Sequence, residues 1–447
     1  MAKKSNKANL STEVMLKQAE VVSGNEPYVI PKNWCWVYLE SINQYVSRSV
    51  NPLSEQNKFF ELYSVPSSQD NYPEIIRGGD IGSTKQSVKK DDVLLCKINP
   101  RINRVWKVSK HTENTLIASS EWIVVRNSII SSKYLMWCMR SPYFREYMLS
   151  NVSGIGGSLM RAKPEQIRKY PIVLAPLSEQ YRIVELIETT FSKLDVAKEK
   201  AQEILDNYEM RMATILYRAF SGELTAKWRR ENRIEKNQYP IRRFSEIAEI
   251  KSNLVDPAEY LNYPHIAPDN IEKKTGVLLD YRTIGEDGVK SGKHRFYSGQ
   301  ILYSKIRPNL SKVIVVGFDG LCSADMYPVE AKGDAKCLWY YMLSEEFLEQ
   351  ASSAGSRSVL PKINQKELSA LKVRIPSCIE EQREISRILD NIFEKERETK
   401  QSAEYVIEQI DLIKKSILSK AFRGEFGTNN PKDESAEELL KRSIIGE

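Results

Sequence analysis

Basic side chains recur in the turns of two related segments. DDVLLCKINPRINRV, which begins at Asp91, resembles GQILYSKIRPNLSKV, which begins at Gly299. Lysine and arginine in short turns can contact DNA phosphates, and arginine can also bind guanine edges with two hydrogen bonds. The residues predicted to bind DNA are Lys97, Arg101, Arg104, Arg161, Lys163, Lys305, Arg307, Lys312, Arg357 and Lys362. A basic turn is more often a solvated loop than a DNA contact, so a solvated loop remains the alternative interpretation of these residues.

Motifs for catalysis are missing from the sequence. A DNA amino-methyltransferase needs Asn/Asp-Pro-Pro followed by an aromatic residue, and neither Asn99-Pro100-Arg101 nor Asn51-Pro52-Leu53 matches it. There is no GxxxxGK[ST] loop for nucleotide phosphates, and the glycines at 154–157 resemble a flexible turn. The 3 histidines and 6 cysteines lack the spacing of metal ligands. We therefore predict a non-catalytic chain with no metal site and no cofactor of its own.

Composition limits the class of protein without naming it. The chain has 447 residues, enough for two or three domains, and its formal charge of +7 is mildly basic. That charge alone points only weakly to nucleic acid. No apolar run approaches the roughly 20 residues of a membrane span, and the N-terminus has no secretory apolar segment. Unpaired cysteines and these absences predict a cytoplasmic protein.

Two copies of one helical segment must position the basic turns. Residues 179–224 recur as residues 381–426 without a gap. In the first copy, apolar residues follow one another by three or four, as they do in a coiled coil, and the second copy keeps this pattern except in its middle, at Glu396 and Thr399. Each copy predicts a helix of roughly 45 residues, about 65 Å long at 1.5 Å per residue. Such a helix cannot bury its apolar stripe alone, so we predict that the two copies pair as an antiparallel rod.

The repeat also predicts which helix residues are buried and which bind partners. The core of the coiled coil is predicted to contain Ile183, Ile187, Phe191, Ala201, Ile204, Ile215, Ile385, Leu389, Phe393, Ala403, Val406 and Ile417. Both copies end in Ala-Phe-x-Gly-Glu, and a twofold rod offers equivalent sites to two copies of one partner. The predicted partner-binding residues are Ala219, Phe220, Gly222, Glu223, Ala421, Phe422, Gly424 and Glu425.

Mixed strand and helix patterns fill the rest of the chain and predict an α+β fold. Two mixed α/β globules, separated by the long helices, give a pseudo-twofold internal repeat. The predicted divisions are an N-terminal arm (1–26), a first globule (27–176), a first long helix (177–230), a second globule (231–376), a second long helix (377–427) and a C-terminal tail (428–447). The globules match only with shifting offsets, so their loops differ in length while the helices keep their register.

The motifs that carry this repeat resemble those of a known family. PLSEQ at 176–180, AFSGELTAKWR at 219–229, PSCIEEQ at 376–382 and AFRGEF at 421–426 are similar to the specificity subunits of type I restriction-modification systems. PKNWCWVYL at 31–39 resembles the entry to that family's target recognition domains. The resemblance runs from about Tyr28 to Gly427. The second copy departs from the first in having Glu-Phe-Gly for Glu-Leu-Thr and in lacking the Trp-Arg tail.

The resemblance implies a function and a set of partners. The two globules would be target recognition domains that read the two parts of a bipartite, asymmetric site in double-stranded DNA. The long helices would be the central and distal conserved regions, which dock two methyltransferase subunits and, through them, restriction subunits. S-adenosylmethionine would belong to the methyltransferase and not to this chain. A stand-alone two-headed DNA-binding protein and a coiled-coil protein scaffold remain the alternatives.

Overall fold

The computed structural model describes residues 12–150, 152–153, 160–234, 239–354 and 361–445. Its α-helices are α1 (Thr12–Ala19), α2 (Leu39–Ile42), α3 (Ser132–Arg140), α4 (Pro142–Ser150), α5 (Pro164–Ile167), α6 (Leu177–Asp206), α7 (Tyr208–Phe220), α8 (Ala226–Glu231), α9 (Phe244–Ile247), α10 (Ala335–Met342), α11 (Glu345–Ala354), α12 (Gln365–Ala370), α13 (Ile379–Phe422) and α14 (Ala436–Ile445).

The strands fall into two series, one for each globule. The first is β1 (Cys35–Tyr38), β2 (Ser49–Val50), β3 (Phe59–Tyr63), β4 (Glu74–Arg77), β5 (Lys85–Ser87), β6 (Val93–Cys96), β7 (Val105–Lys107), β8 (Thr115–Ala118), β9 (Trp122–Val125), β10 (Val152–Ser153), β11 (Arg161–Ala162) and β12 (Pro171–Leu174). The second is β13 (Ile241–Arg243), β14 (Ala248–Ile250), β15 (Leu254–Val255), β16 (Pro264–Ile266), β17 (Arg282–Thr283), β18 (Lys293–Phe296), β19 (Ile301–Ser304), β20 (Val313–Val315), β21 (Gly320–Cys322), β22 (Met326–Ala331) and β23 (Lys372–Arg374).

The chain divides into two compact units. The first contains Met1–Glu199 and Val406–Glu447, and the second contains Lys200–Tyr405. The first unit therefore includes the first globule and both chain ends. Helix α1 and helix α14 contribute to its core through Ala19, Leu439 and Leu440.

The five-stranded sheets of the two globules have the same topology, whereas the second sheet has three strands in the first globule and four in the second. A five-stranded sheet runs β2-β5-β8-β3-β4 in the first globule and β15-β18-β21-β16-β17 in the second. Its parallel pair is β3 with β8 in one and β16 with β21 in the other. A second sheet is centred on β6 or on β19, and every residue of these two strands is buried. Continuous apolar runs such as Val-Leu-Leu-Cys suit strands that are covered on both faces.

The long helices differ in continuity between the two copies. Helix α13 is one helix of 44 residues. The first copy has a turn residue, Asn207, between α6 and α7. The Asn207 backbone N–H still donates to the Glu203 carbonyl, at 3.2 Å, and its own carbonyl accepts from the Arg211 N–H at 3.0 Å. The hydrogen-bond ladder therefore continues through the turn.

Within the first unit, α6 and α13 pack in opposite directions. Lys198 pairs with Asp411 at 2.8 Å, and Asp195, nearer the start of α6, pairs with Lys414, nearer the end of α13. The Lys414 ammonium also lies 5.0 Å from the centroid of the Phe191 ring. Contacts that move back along one helix and forward along the other are those of an antiparallel pair.

Within the second unit, α7 and α13 pair in the same antiparallel sense. Arg211 pairs with Glu396 at 3.0 Å. The Lys400 ammonium lies 5.1 Å from the centroid of the Tyr208 ring. All of these ion pairs are partly or fully solvent-exposed, so apolar packing contributes most of the stability.

The apolar stripe packs against the globules as well as along the helices. Ile183, Ile187, Ala201, Ile385, Leu389 and Ala403 are buried, and Phe191, Ile204, Ile215, Phe393 and Ile417 are partly buried. The Phe191 ring meets Trp137 of α3 edge-on at 5.1 Å, and Phe393 meets Tyr340 of α10 at 4.9 Å. The prediction for Val406 was wrong, because this side chain is 40% exposed; Ile410, four residues further along α13, is buried instead.

Candidate nucleic-acid interface

The basic turns of the two globules have the same backbone shape. Each turn begins and ends with a residue in the left-handed region: Asn99 (φ 48°) and Asn103 (φ 50°) after β6, and Arg307 (φ 45°) and Ser311 (φ 44°) after β19. A proline opens a short 3-10 segment between them. Left-handed backbone costs about 1–2 kcal/mol for most residues, and least for asparagine. The same strained shape in both globules suggests a functional use.

A second chain segment holds each turn in place. In the first globule, the Asn99 N–H donates to the Met160 carbonyl, and the Ala162 N–H donates to the Lys97 carbonyl, both at 2.9 Å. In the second, the Arg307 N–H donates to Pro361 at 2.8 Å and the Ile363 N–H to Lys305 at 2.9 Å. These bonds bring predicted contact residues together, Lys97 with Arg161 in one globule and Lys305 with Lys362 in the other.

An acidic residue lies among the basic side chains in each globule. The backbone N–H of Lys97 donates to the Glu121 carbonyl at 3.0 Å, and that of Lys305 donates to the Asp325 carbonyl at 2.9 Å. The Glu121 carboxylate pairs with Arg161 at 3.2 Å. In the sequence, Ser119-Ser120-Glu121 resembles Ser323-Ala324-Asp325, but that similarity alone assigns the two acidic residues no role.

Asp325 has two cationic neighbours in the second globule. Its carboxylate lies 3.3 Å from the Lys362 ammonium and 3.9 Å from the Lys305 ammonium. The Lys305 ammonium also donates to the Ala324 carbonyl at 2.6 Å. We call Lys97, Glu121 and Arg161 the first basic cluster, and Lys305, Asp325 and Lys362 the second basic cluster.

The other predicted contacts differ in exposure. Arg101 and Lys163 are exposed, Arg104 is partly buried, and Arg307 is exposed at the first position of its turn. The guanidinium of Arg145 donates to the Arg101 carbonyl, so the backbone under the Arg101 side chain is fixed.

The structure contradicts the prediction for Lys312 and does not test the one for Arg357. The Lys312 ammonium donates to the Pro268 carbonyl at 2.7 Å and lies 3.4 Å from the Asp269 carboxylate, with 16% of the side chain exposed. Its charge fixes a neighbouring loop, and we withdraw it as a DNA contact. Arg357 lies outside the described residues.

The Glu-Gln pair at the start of each long helix is buried. The Glu179 carboxylate accepts from Trp34 Nε1 at 2.7 Å, from Thr428 Oγ1 at 3.1 Å and from Asn429 Nδ2 at 2.9 Å. Three neutral donors therefore balance this carboxylate, which has no solvent exposure.

Glu381 is held by a charged group instead. Its carboxylate accepts from Arg229 Nη1 at 2.6 Å and from the Thr225 and Tyr239 hydroxyls, both at 2.7 Å. Arg229 belongs to the Trp-Arg tail that the second copy lacks. Because of this difference in sequence, the second unit has a buried ion pair. In the first unit, the buried carboxylate is bound by neutral donors alone.

The glutamines tie the long helices to the globules. Gln180 accepts from the Ser131 N–H at 3.0 Å, and Gln382 accepts from the Asp334 N–H at 2.8 Å. Ser131 and Asp334 cap the N-termini of α3 and α10. The same pair of side chains therefore links a long helix to its globule in both units.

Known proteins are similar to this chain in sequence. The model of the type I restriction modification DNA specificity domain matches residues 237–409. The EcoDI specificity subunit of Escherichia coli is 35% identical over 344 residues, which cover 72% of this chain and 76% of that protein. The chain belongs to the specificity subunits of type I restriction enzymes. It is thus a DNA-recognition subunit and not a catalytic one.

Solved structures share the fold of this specificity subunit. A chain from the study "Structural basis underlying complex assembly and conformational transition of the type I R-M system" has a TM-score of 0.69 and 19% identity, covering 90% of this chain and 100% of that one. The HsdS subunit from Thermoanaerobacter tengcongensis has a TM-score of 0.62 and 19% identity, covering 90% and 99%. The predicted α+β fold class is confirmed.

The helix ends of the specificity subunit correct the partner-binding prediction. Ala219 and Phe220 are buried in the second unit, where the Phe220 ring meets Tyr341 edge-on at 5.1 Å. Ala421 and Phe422 are buried in the first unit. These four side chains anchor the helix ends within the subunit and present no surface to a partner. Gly222 and Gly424 end the helices with positive φ, and Glu223 and Glu425 are exposed.

Exposed apolar residues lie elsewhere on the long helices. Met210 is 63% exposed and Tyr217 is 70% exposed, and both line a groove of about 670 Å³ beside Leu348. In the first unit, Leu412 and Ile413 of α13 are 49% and 44% exposed. Leu412 is the repeat counterpart of Met210.

The described residues show neither a metal centre nor a membrane span. Across these parts of the chain no group of three or more His, Cys, Asp or Glu side chains could hold a metal ion. None of the described helices is both long and apolar enough to cross a bilayer.

Proposed function

We propose that this specificity subunit reads a bipartite, asymmetric DNA target, with one part read by each globule. Residues 27–176 and 231–376 are the two target recognition domains. Residues 177–230 and 377–427 are the central and distal conserved helices, which dock two methyltransferase subunits. Restriction subunits join through the methyltransferase, and S-adenosylmethionine is bound there.

The observation that carries the proposal is the duplicated turn and basic cluster. Both globules fix a left-handed turn with the same backbone hydrogen bonds. Each pairs a carboxylate with basic side chains beside that turn, Glu121 with Arg161 in the first globule and Asp325 with Lys305 and Lys362 in the second. Two equivalent scaffolds in one chain support two separate contacts with DNA. The side chains at the turn tips differ, since Arg101 in the first turn is matched by Asn309 in the second. Different side chains on one scaffold favour different base sequences.

Mapping the methylated sites tests the bipartite target. DNA from cells that carry this chain with its methyltransferase is sequenced by a method that detects base methylation. We expect two short, unlike base runs separated by a fixed gap of unspecified sequence. A contiguous target, or a palindrome with identical halves, would contradict the proposal.

Exposed apolar residues on the helices support the docking of partners. Single exposed apolar side chains are ordinary, but Met210 and Leu412 occupy matching positions of the repeat and both remain exposed. Because Met210 and Leu412 are equivalent positions of a twofold repeat, two copies of one partner can dock at them. We assign the patches around Met210 with Tyr217, and around Leu412 with Ile413, to the methyltransferase.

Stoichiometry tests the docking proposal. We expect Met210→Glu with Tyr217→Glu to remove one methyltransferase subunit from the complex, and Leu412→Glu with Ile413→Glu to remove the other, as measured by native mass spectrometry. Leu279→Glu, at a side chain 45% exposed on the second globule, is the control. An unchanged complex in both double variants would refute the assigned patches. A chain that reads its target with no methyltransferase bound would favour the stand-alone DNA-binding protein.

A further inference from the structure

A serine and a lysine two residues later begin the same strand in both globules. Ser83 precedes Lys85, the first residue of β5, and Ser291 precedes Lys293, the first residue of β18. The two strands are equivalent in the five-stranded sheets. Although the globules have few identical residues, this short pattern is the same in both.

The two lysines make the same hydrogen bonds. The Lys85 ammonium donates to the carbonyl oxygen of Ser83, at 3.1 Å, and to its hydroxyl oxygen. The Lys293 ammonium donates to the carbonyl of Ser291 at 3.0 Å and to its hydroxyl at 2.6 Å. Each lysine is thus folded back onto the loop that leads into its strand.

Lys293 is buried and Lys85 is partly buried, and neutral oxygen atoms are the hydrogen-bond partners of both ammonium groups. Burial lowers the pKa of Lys85 and the pKa of Lys293. Among the described parts of the chain, neither lysine forms a direct ion pair, although the Glu74 carboxylate opposes the lowering of the Lys85 pKa and the Asp325 carboxylate that of the Lys293 pKa. A desolvated charge with no carboxylate in direct contact is unfavourable. An anion from outside the chain would relieve that cost.

Each lysine ammonium and its serine hydroxyl keep hydrogen-bond donors that are not used within the pair. An ammonium group has three N–H donors, and two are used on the serine. The serine hydroxyl oxygen accepts from the lysine, so its own proton is available to another acceptor. One N–H and one O–H therefore meet beside each loop, and both can donate to the oxygen atoms of one phosphate group.

These sites lie beside the basic clusters. In the second globule, the Asp325 carboxylate opposes the lowering of the Lys293 pKa. Burial and then the Lys305 charge lower the pKa of the next residue, His294. In the first globule, Gln86 follows Lys85 and donates to the Ser119 carbonyl at 2.9 Å, two residues before Glu121.

We propose that Ser83 with Lys85, and Ser291 with Lys293, each bind one backbone phosphate of the DNA target, one for each half. The contacts fix the position of each globule on its half-site and carry no base preference. This inference rests on the proposed bipartite reading, because it assigns one phosphate to each globule.

The salt dependence of binding tests the contacts. The full chain is titrated with a duplex that bears the mapped target and with a mixed-sequence duplex, over a series of salt concentrations. For Lys85→Gln and for Lys293→Gln we expect about tenfold weaker binding to both duplexes. The slope of log affinity against log salt is negative. Its magnitude should decrease by about 1 in each variant and by about 2 in the double variant.

Matched variants separate a phosphate contact from a structural role. Lys85→Arg and Lys293→Arg keep the charge and should restore most of the slope. Lys58→Gln and Lys251→Gln are controls, because these lysines already pair with Glu55 at 2.8 Å and Glu249 at 2.7 Å. Ser83→Ala and Ser291→Ala should weaken binding while leaving the slope near that of the wild type.

Failure of this inference can be told apart from failure of the proposed function. If base changes in either half of the target weaken wild-type binding while both Lys→Gln variants keep the full slope, the phosphate contacts are refuted and the bipartite reading stands. If base changes in only one half matter, the bipartite reading fails. Loss of the slope in the arginine variants as well would also overturn the inference, since the charge is then not what binds.

Discussion

The first and second globules share a scaffold and differ at its tips. The strand order of the five-stranded sheet, the left-handed turns and the backbone hydrogen bonds that hold them are the same in both. The side chains at the turn tips are not, because Arg101 in the first turn corresponds to Asn309, and Asn99 corresponds to Arg307. The arginine has thus moved from the third residue of the segment 99–103 to the first residue of the segment 307–311. We infer that the scaffold is fixed by folding and that the tips are free to change with the DNA sequence read.

A second difference lies beside the shared lysine sites. The guanidinium of Arg295 lies 4.9 Å from the ring centroid of Tyr297, 5.3 Å from that of Tyr260 and 6.0 Å from that of Tyr263. The corresponding residue of the first globule is Ser87. The second globule thus has a cation–π cluster at a place where the first has a small polar residue.

The largest expected effect is a difference in stability cost between substitutions of the two buried glutamates, Glu381 and Glu179. Glu381→Gln leaves the Arg229 charge buried without its partner, at a cost of about 3–5 kcal/mol in the free energy of unfolding. Glu179→Gln disturbs only neutral donors and should cost about 1–3 kcal/mol. Denaturant unfolding of the full chain measures both. Glu223→Gln, at an exposed pair with Arg218, is the control and should change little. Equal losses at Glu179 and Glu381 would contradict the distinction.

The next effect tests whether the strained turn serves binding. Arginine is disfavoured in the left-handed region and asparagine tolerates it, so Arg307→Asn should raise the free energy of unfolding by about 1 kcal/mol. The same change should weaken binding to the second half of the target about tenfold, because an exposed guanidinium is lost. Arg101→Asn is the matched control, since Arg101 does not have a positive φ, and it should weaken the first half without a gain in stability. If Arg307→Asn stabilises the protein and leaves its affinity for DNA unchanged, Arg307 is not part of the interface.

A smaller effect concerns the acids within the basic clusters. Glu121→Gln and Asp325→Asn remove a negative charge near the DNA phosphates, so affinity for a mixed-sequence duplex should rise roughly 2- to 10-fold at low salt. The rise should be larger for Asp325, which has two cationic neighbours. Glu113→Gln, at a side chain that is 95% exposed, serves as control. Weaker non-specific binding in these variants would show that the carboxylates only hold the cations in place.

The smallest effect belongs to the ion pairs between the long helices. Lys198→Ala removes the pair with Asp411, in which both side chains are exposed by more than a third. It should cost no more than about 0.5 kcal/mol in unfolding free energy. Ile187→Ala, at a fully buried residue of the same helix, should cost about 2–5 kcal/mol. Comparable losses in thermal or denaturant unfolding would mean that charge, and not apolar packing, holds α6.

Periodicity and repetition predicted the long helices, the two globules and the family. They could not assign individual contacts along the stripe. Phe191 and Phe393 have the spacing of coiled-coil residues, yet their rings meet Trp137 and Tyr340 of the globules. The repeated Ala-Phe ends looked like a docking motif, because repetition does not distinguish a shared partner from a shared packing role. The burial of the side chains distinguishes a packing role from a docking role, and burial depends on tertiary contacts.

The candidate interface was predictable only in part for the same reason. Lys97 and Arg161 are far apart in sequence, and backbone hydrogen bonds between distant segments bring them together. Glu121 and Asp325 were visible as an echo, but their role depends on cations contributed by other segments. Lys312 has the composition of a contact residue, and only the geometry shows that it binds the Pro268 carbonyl.

The central claim, that each globule reads its own half of the target, is tested most directly by crossing variants with half-site changes. Two double variants, Lys97→Ala with Arg161→Ala and Lys305→Ala with Lys362→Ala, are titrated with the mapped duplex and with duplexes altered in one half. We predict that each double variant becomes insensitive to base changes in one half only, and that the two variants lose opposite halves. Equal loss of sensitivity to both halves in either variant would contradict the account.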